Sequence, residues 1–468
     1  MNNKTSNSGL TGSVLVFSLI AAIGGLLGGF HTAGISGAIG FLQAHFELNA
    51  SMTGWVTSSM LIGCAVGAMG TGGFASKYGR KKLLFLTAVI FAVSSIGAAY
   101  PISLNMLVAA RILGGLGVGM ACVVCPMYIS EISPAAKRGT MVTLFQLGMV
   151  IGILLAYSVN SYIAGLGDEA WNIAEGWRWM FASEAIPSVV FFMTLFLLPN
   201  SPTWLMEKGE TEKAVNVLKK LREAYYNEDE VKEIAESLNA GTDVQKASIG
   251  DFFGKKYRFV ALCGLALAIF SQVTGINAVL YYAPEIFKRT GEAGTDAALM
   301  QTVVVGVINF AFTIVSIWLI DKAGRRALLL VGSAGMTLSL GVVAYCFYAG
   351  QLGGMLIFIS ILSYIAFFAI SLGPVTFVLI SEIFPQRIRS IGMSVATLVL
   401  WVSVFIISQL FPILLNGVGE AITFGVFMVA SFLAFVFVLK FIPETKGKSF
   451  KEIEQYWVKE GEQLVEAN

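Results

Sequence analysis

Long apolar runs separated by short polar connections occupy most of the 468 residues. A bilayer core needs about 20 helical residues to cross. Runs of that order lie at 14–37, 54–75, 83–99, 106–129, 140–164 and 179–198, then at 259–287, 300–320, 327–349, 355–380, 391–415 and 422–442. Between the two sets lies one long polar stretch, 207–256, where the spacing of Ala214, Val217, Leu218 and Leu221 predicts short amphipathic helices. The pattern predicts an all-α membrane protein with about 12 transmembrane helices. It divides into a six-helix half (14–199), a linker (200–256), a second six-helix half (257–443) and a tail (444–468). The first run, rich in glycine and polar residues, reads as a retained span and not as a cleaved signal.

Composition supports this reading. Only 13% of residues are charged and 56% are hydrophobic, whereas a soluble domain carries roughly 25% charged residues. The near-neutral balance of +2 gives no reason to expect a nucleic-acid partner. Cys122 and Cys125 form a CxxC, but inside an apolar helix with no second pair. That favours helix packing over metal or redox chemistry, and neither a metal nor an organic cofactor is expected.

Loop charge sets the orientation. Lys77, Arg80, Lys81, Lys82, Lys137, Arg138, Lys322, Arg325, Arg326, Arg387 and Arg389 follow spans two, four, eight and ten, while the opposite short loops hold chiefly Lys288 and Arg289. Basic residues accumulate on the cytoplasmic side, so both termini and the linker are expected inside. Asn49-Ala50-Ser51 is a sequon in an outer loop.

The two halves repeat each other. Gly79-Arg80-Lys81 follows span two and Gly324-Arg325-Arg326 follows span eight. Ser130-Glu131-Ile132-Ser133-Pro134 with Arg138 is matched by Ser381-Glu382-Ile383-Phe384-Pro385 with Arg389, and Pro199 by Pro443. Three pairs in register point to a duplicated unit, an architecture that works by rocking one half against the other around a central site. Carboxylate–guanidinium bonds are directional. Glu131, Arg138, Glu382 and Arg389, beside Arg80 and Arg325, are therefore expected to latch the cytoplasmic side across the halves. The plainer alternative is loop charge alone.

Ionisable groups inside a bilayer are costly, and two stand out: His31 in span one and Arg111 opening span four. Arg111 either faces the interior or snorkels to the outer interface. His31 has two open roles, proton coupling with Arg111 biasing its charge, or neutral hydrogen bonding. Among neutral polar groups, Gln146, Gln272, Asn277 and Asn309 combine donors and acceptors. With Phe377 and Trp401 as apolar platforms they suit a polyhydroxylated ligand; helix–helix hydrogen bonding is the alternative.

Ordered motifs then resemble a known family. They are Arg111-Ile-Leu-Gly-Gly, Pro126-Met-Tyr-Ile-Ser-Glu131, Gly176-Trp-Arg-Trp-Met180, Gln272-Val-Thr-Gly-Ile-Asn277 with Tyr281-Tyr282, Asp321-Lys-Ala-Gly-Arg-Arg326 and Pro443-Glu-Thr-Lys-Gly447. From about Gly24 to about Glu454 the chain resembles the sugar porters of the major facilitator superfamily. The resemblance implies alternating-access transport of a monosaccharide, with sugar contacts at Gln146, Gln272, Asn277, Asn309 and Trp401. It implies an outer-gate tyrosine at Tyr281 and the cytoplasmic gate already named. Departures from the family pattern are His31 for the usual Asp or Asn, Ser271 for a Gln, Phe377 for a Trp, Leu400 for a polar residue, and Pro199-Asn-Ser-Pro-Thr203 for PESPR.

The expectation is a sugar–H⁺ symporter in a bacterial inner membrane, acting as a monomer within the lipid bilayer. An energy-independent uniporter and a non-transporting sugar sensor are the alternatives. The short tail after Pro443 argues against the sensor, and no catalytic motif suggests an enzyme.

Overall fold

The computed structural model describes residues 11–243, 249–254, 257–290, 294–350, 355–385, 387–448, 452 and 456–457. Among them twelve helical spans are long and apolar enough to cross a membrane, and no strand is present. The first half holds α1 (Gly12–Phe46), α2 (Ala50–Tyr78), α3 (Arg80–Ala99), α4 (Leu104–Ile132), α5 (Arg138–Ala164) and α6 (Glu169–Leu197). The linker forms α7 (Pro202–Glu207), α8 (Thr211–Arg222), α9 (Glu228–Asp243) and α10 (Ile249–Phe252).

In the second half, span seven is broken into α11 (Arg258–Val273) and α12 (Ile276–Arg289). Next come α13 (Thr295–Ala323) and α14 (Arg325–Tyr348). Span ten is broken into α15 (Met355–Ile370) and α16 (Leu372–Ile383), and α17 (Arg389–Gly417) and α18 (Glu420–Phe441) follow. The expected tail lies largely outside the described residues.

Helix ends follow local chemistry. Thr11 and Asn49 cap α1 and α2, the Asn49 side chain accepting from the Met52 amide at 2.9 Å. α1 runs nine residues past its apolar stretch, to Phe46, before Glu47 turns left-handed. In the linker, Ala214, Leu218 and Leu221 are buried, as their spacing predicts. Arg222 binds Glu230 with two nitrogens and donates to the Ile132 carbonyl, and Thr11 donates to Leu221, so α8 sits on the first half, while Phe252 of α10 meets Phe384 of the second.

Packing repeats between the halves. In the first half α1 packs on α5, α2 on α4, α3 on α4 and α3 on α6. Their counterparts in the second half pair in the same way: α11 on α17, α13 on α15, α14 on α15 and α14 on α18. Close approach needs small residues. Gly115 and Gly119 of α4 lie against the α2 backbone at Met60 and Cys64, and Gly152 lies against α1 at Leu26. Between halves, α2 meets α17, α5 meets α13 and α1 meets α12.

Candidate functional site

The break in span seven assembles the amide cluster. Gly275, at φ +92°, turns the chain between α11 and α12, and a Cβ there would strike Phe427. The carbonyl of Thr274, freed by the break, accepts from Tyr364 Oη at 2.9 Å. This satisfies backbone that lipid could not. Across the break Asn277 Nδ2 donates to Gln272 Oε1 at 2.6 Å, and Gln272 Nε2 donates to Ser271 Oγ at 3.1 Å. The serine at the departed family position thus takes part in the amide network.

Asn309 is buried on α13, and Gln146 is partly buried on α5, the helix that packs on α13. Trp401 is partly buried on α17, while Phe377 on α16 has 52% of its surface open. Tyr281 is buried on α12, and beside it Tyr157 Oη donates to the Leu280 carbonyl at 2.8 Å, joining α5 to α12.

A second cluster lies within the first half. His31 is 2% exposed, and its Nδ1 is hydrogen-bonded to Glu184 Oε2. Its ring stacks on Phe91 at 4.5 Å. Arg111 is also buried, which removes the snorkelling alternative, and its Nη1 donates to the His31 carbonyl at 3.2 Å. Arg111 therefore reaches the backbone of His31, and the side-chain partner is a carboxylate that the sequence reading passed over. Glu184 lies inside the 179–198 run. The rule that flags charged groups within a span would have found it.

At the end bearing the basic loops, each half builds its own network. Arg80 binds Glu131 at 2.7 Å and Glu207 at 3.3 Å, and Ser201 Oγ donates to the other Glu131 oxygen at 2.5 Å. Arg325 binds Glu382 at 3.0 Å, and Thr445 Oγ donates to its other oxygen at 2.6 Å. Ser201 and Thr445 each stand two residues after the repeated proline, so the duplication extends to these hydroxyls. Arg138 Nε donates to the Ser130 carbonyl and Arg389 Nε to that of Phe384. The pairs that join Glu131 and Glu382 to arginine are thus within halves, where a latch across halves was expected.

Glu444 adds a clamp to the second half. Its carboxylate accepts from the amides of Arg325 and Arg326, both at 3.0 Å, and of Lys446 at 2.9 Å. Burial alone would raise its pKa, but these amides and that of Thr445 outweigh it and hold the carboxyl below its usual range.

Residues 17–457 match the family described as "Sugar (and other) transporter". The chain belongs to this family. It is 39% identical over 458 residues to the arabinose-proton symporter of Bacillus subtilis, covering 98% of each protein. The inward-open xylose transporter of E. coli superposes with a TM-score of 0.85 at 37% identity, over 95% of this chain and 100% of that one. The E. coli proton:xylose symporter bound to 6-bromo-6-deoxy-D-glucose gives 0.78 at 37% identity, over 96% and 100%. The twelve-span major facilitator fold is therefore shared.

The sugar transporter family member described here is closed at the end away from the basic loops. There Gln409 of α17 accepts from Ser58 Oγ at 2.8 Å and donates through Nε2 to the Ser51 carbonyl at 3.0 Å, both on α2. Trp55 meets Phe405 edge-on, Gly306 of α13 lies against Leu154 and Tyr157 of α5, and Tyr157 bonds Leu280.

Proposed function

We propose that this chain is a proton-coupled monosaccharide symporter of a bacterial inner membrane, with both termini cytoplasmic, seen here in an inward-open conformation. The observation that carries the coupling is the buried His31–Glu184 pair with Arg111 beside it. A carboxylate without its proton is balanced by the fixed charge of Arg111. Adding one proton to the pair leaves Arg111 as the local net charge. The balanced state is the one a dry interior favours, so taking up a proton weakens the hold of the pair on Arg111 and readies the site to change conformation.

The named amides read the sugar. Gln272 and Asn277 flank a broken helix, so sugar hydroxyls can replace or join their mutual bond as α12 moves. Gln146 and Asn309 come from facing helices of opposite halves, and Trp401 offers a ring face. A sugar held by both halves would draw them together, after which Glu131, Arg138, Glu382, Arg389, Arg80 and Arg325 meet at the cytoplasmic mouth in the outward-facing state. The names of the relatives support a pentose as the first candidate.

Uptake in proteoliposomes, with pentoses, hexoses and inositols as competitors and with or without a pH gradient, tests the proposal. Gradient-driven accumulation of one pentose or hexose is expected. Accumulation indifferent to the gradient would make the protein a uniporter, and no competition by any sugar would overturn the substrate class.

A further inference from the structure

Glycines 34, 37 and 40 stand three residues apart on the half of α1 that runs toward the closed end, so each neighbouring pair shares a face and the three form a stripe that winds slowly around the helix. Each approaches a polar side chain from a different helix. A Cβ on Gly34 would collide with Glu184 Oε1 of α6, one on Gly37 with the Asn160 side chain of α5, and one on Gly40 with Glu285 Oε1 of α12. The glycine face is thus a narrow strip lined by polar groups, leading from the outer mouth to the coupling pair.

Two buried acceptors on this strip have no hydrogen-bond donor. They are Glu184 Oε1 and Asn160 Oδ1, on residues only 2% and 1% exposed. Asn160 Nδ2 is occupied, donating to the Gly34 carbonyl at 2.9 Å. Three residues of helix rise about 4.5 Å, so the glycines that face these two side chains are spaced about as far apart as two acceptors bridged by one water. A water donating both hydrogens satisfies two such acceptors. At the mouth, Glu285 pairs with Lys288 at 3.5 Å, and Lys288 lies over the Phe41 ring. Glu184 and Asn160 belong to the same half as α1, but Glu285 and Lys288 belong to the other half. When α12 moves away from α1, the mouth opens while the strip stays intact.

We propose that protons from the outside reach Glu184 along the glycine face of α1, and that Glu285 and Lys288 shut this route in the inward-open conformation. The proposal rests on the reading of His31 and Glu184 as the coupling pair. An excess proton on the water nearest Asn160 passes to Glu184 Oε1, leaving neutral water and a carboxylic acid. The other charged or titratable groups around this point are His31 on α1 and Arg111 on α4. Tyr281 and Tyr282 of α12 and Cys64 of α2 lie within electrostatic reach of Arg111.

The test compares sugar-driven proton uptake with sugar exchange at equal pH in oriented proteoliposomes. Gly37→Ala and Asn160→Leu are expected to lower proton uptake at least about tenfold and to leave exchange within about twofold. If the wild type moves no protons with sugar, the coupling reading itself falls. If the wild type is coupled and both variants keep full proton uptake, the route alone is overturned. Should exchange be lost too, Gly40→Cys decides. Labelling it from outside with an impermeant thiol reagent must slow proton uptake but not exchange, and equal rates before and after labelling overturn the route.

Discussion

The imidazole of His31 and the carboxylate of Glu184, 153 residues apart in sequence, share a hydrogen bond in the interior of the first half. Both are buried, and each is the other's side-chain partner. Glu184→Gln keeps the shape and removes the proton site. Accumulation of sugar against its gradient is expected to fall about a hundredfold, while exchange at equal concentrations persists. Counterflow and gradient-driven uptake measured on the same vesicles check this, and equal losses in both assays would assign Glu184 to structure alone.

The Asn277–Gln272 bond holds the two sides of the span-seven break in register. Asn277→Ala removes a proposed sugar contact and frees the Gln272 side-chain oxygen. One hydrogen bond contributes about 1.4 kcal/mol in such a site, or about tenfold in affinity. A tenfold weaker sugar Kd with an unchanged proton stoichiometry is expected from binding calorimetry. An unaltered Kd would exclude Asn277 from the sugar site.

Gln409 fastens α2 to α17 at the end away from the basic loops with two hydrogen bonds. Gln409→Leu is expected to shift the resting population toward outward-facing forms. Loss of roughly 1–2 kcal/mol corresponds to a shift of about 5- to 30-fold. Distances between spin labels on the outer ends of α2 and α17 should broaden to longer values. A distribution identical to that of the parent protein would mean that apolar contacts alone keep this end shut.

Glu444 makes stability depend on acidity. Its folded pKa is depressed by backbone amides, so its contribution is fully present above the pKa of the unfolded chain. It is lost as pH falls through the folded value. Thermal unfolding in detergent should show a parent protein more stable than Glu444→Gln by about 1 kcal/mol near neutrality. The gap should close at acid pH, and a constant gap would rule out the amide clamp.

Much of this architecture was legible in the sequence, because lipid imposes length and hydrophobicity on every span and the duplication left matched motifs. The twelve spans and the amphipathic linker follow from pattern alone. Boundaries drifted where helices outrun the apolar core: α6 begins ten residues before its expected start, since Asp168 caps it outside the hydrophobic stretch. Arg80 and Arg325 were expected at the inner gate. That Arg80 and Arg325 bind the motif carboxylates could not be read from spacing, because the partners come from separate helices. Ser201 and Thr445 were hidden for the same reason. Their hydroxyls matter only once the span ends fold back onto Glu131 and Glu382.

Glycine 275 leaves the two halves mechanically unlike. Its break gives span seven a joint, while the corresponding first span runs 35 residues without one. The short outer segment α12 can pivot within microseconds or less, whereas swinging six helices takes far longer, up to milliseconds. Occlusion of the sugar and reversal of access therefore run on two separate clocks. A transporter with such a joint can grip its cargo and release it many times before committing to cross.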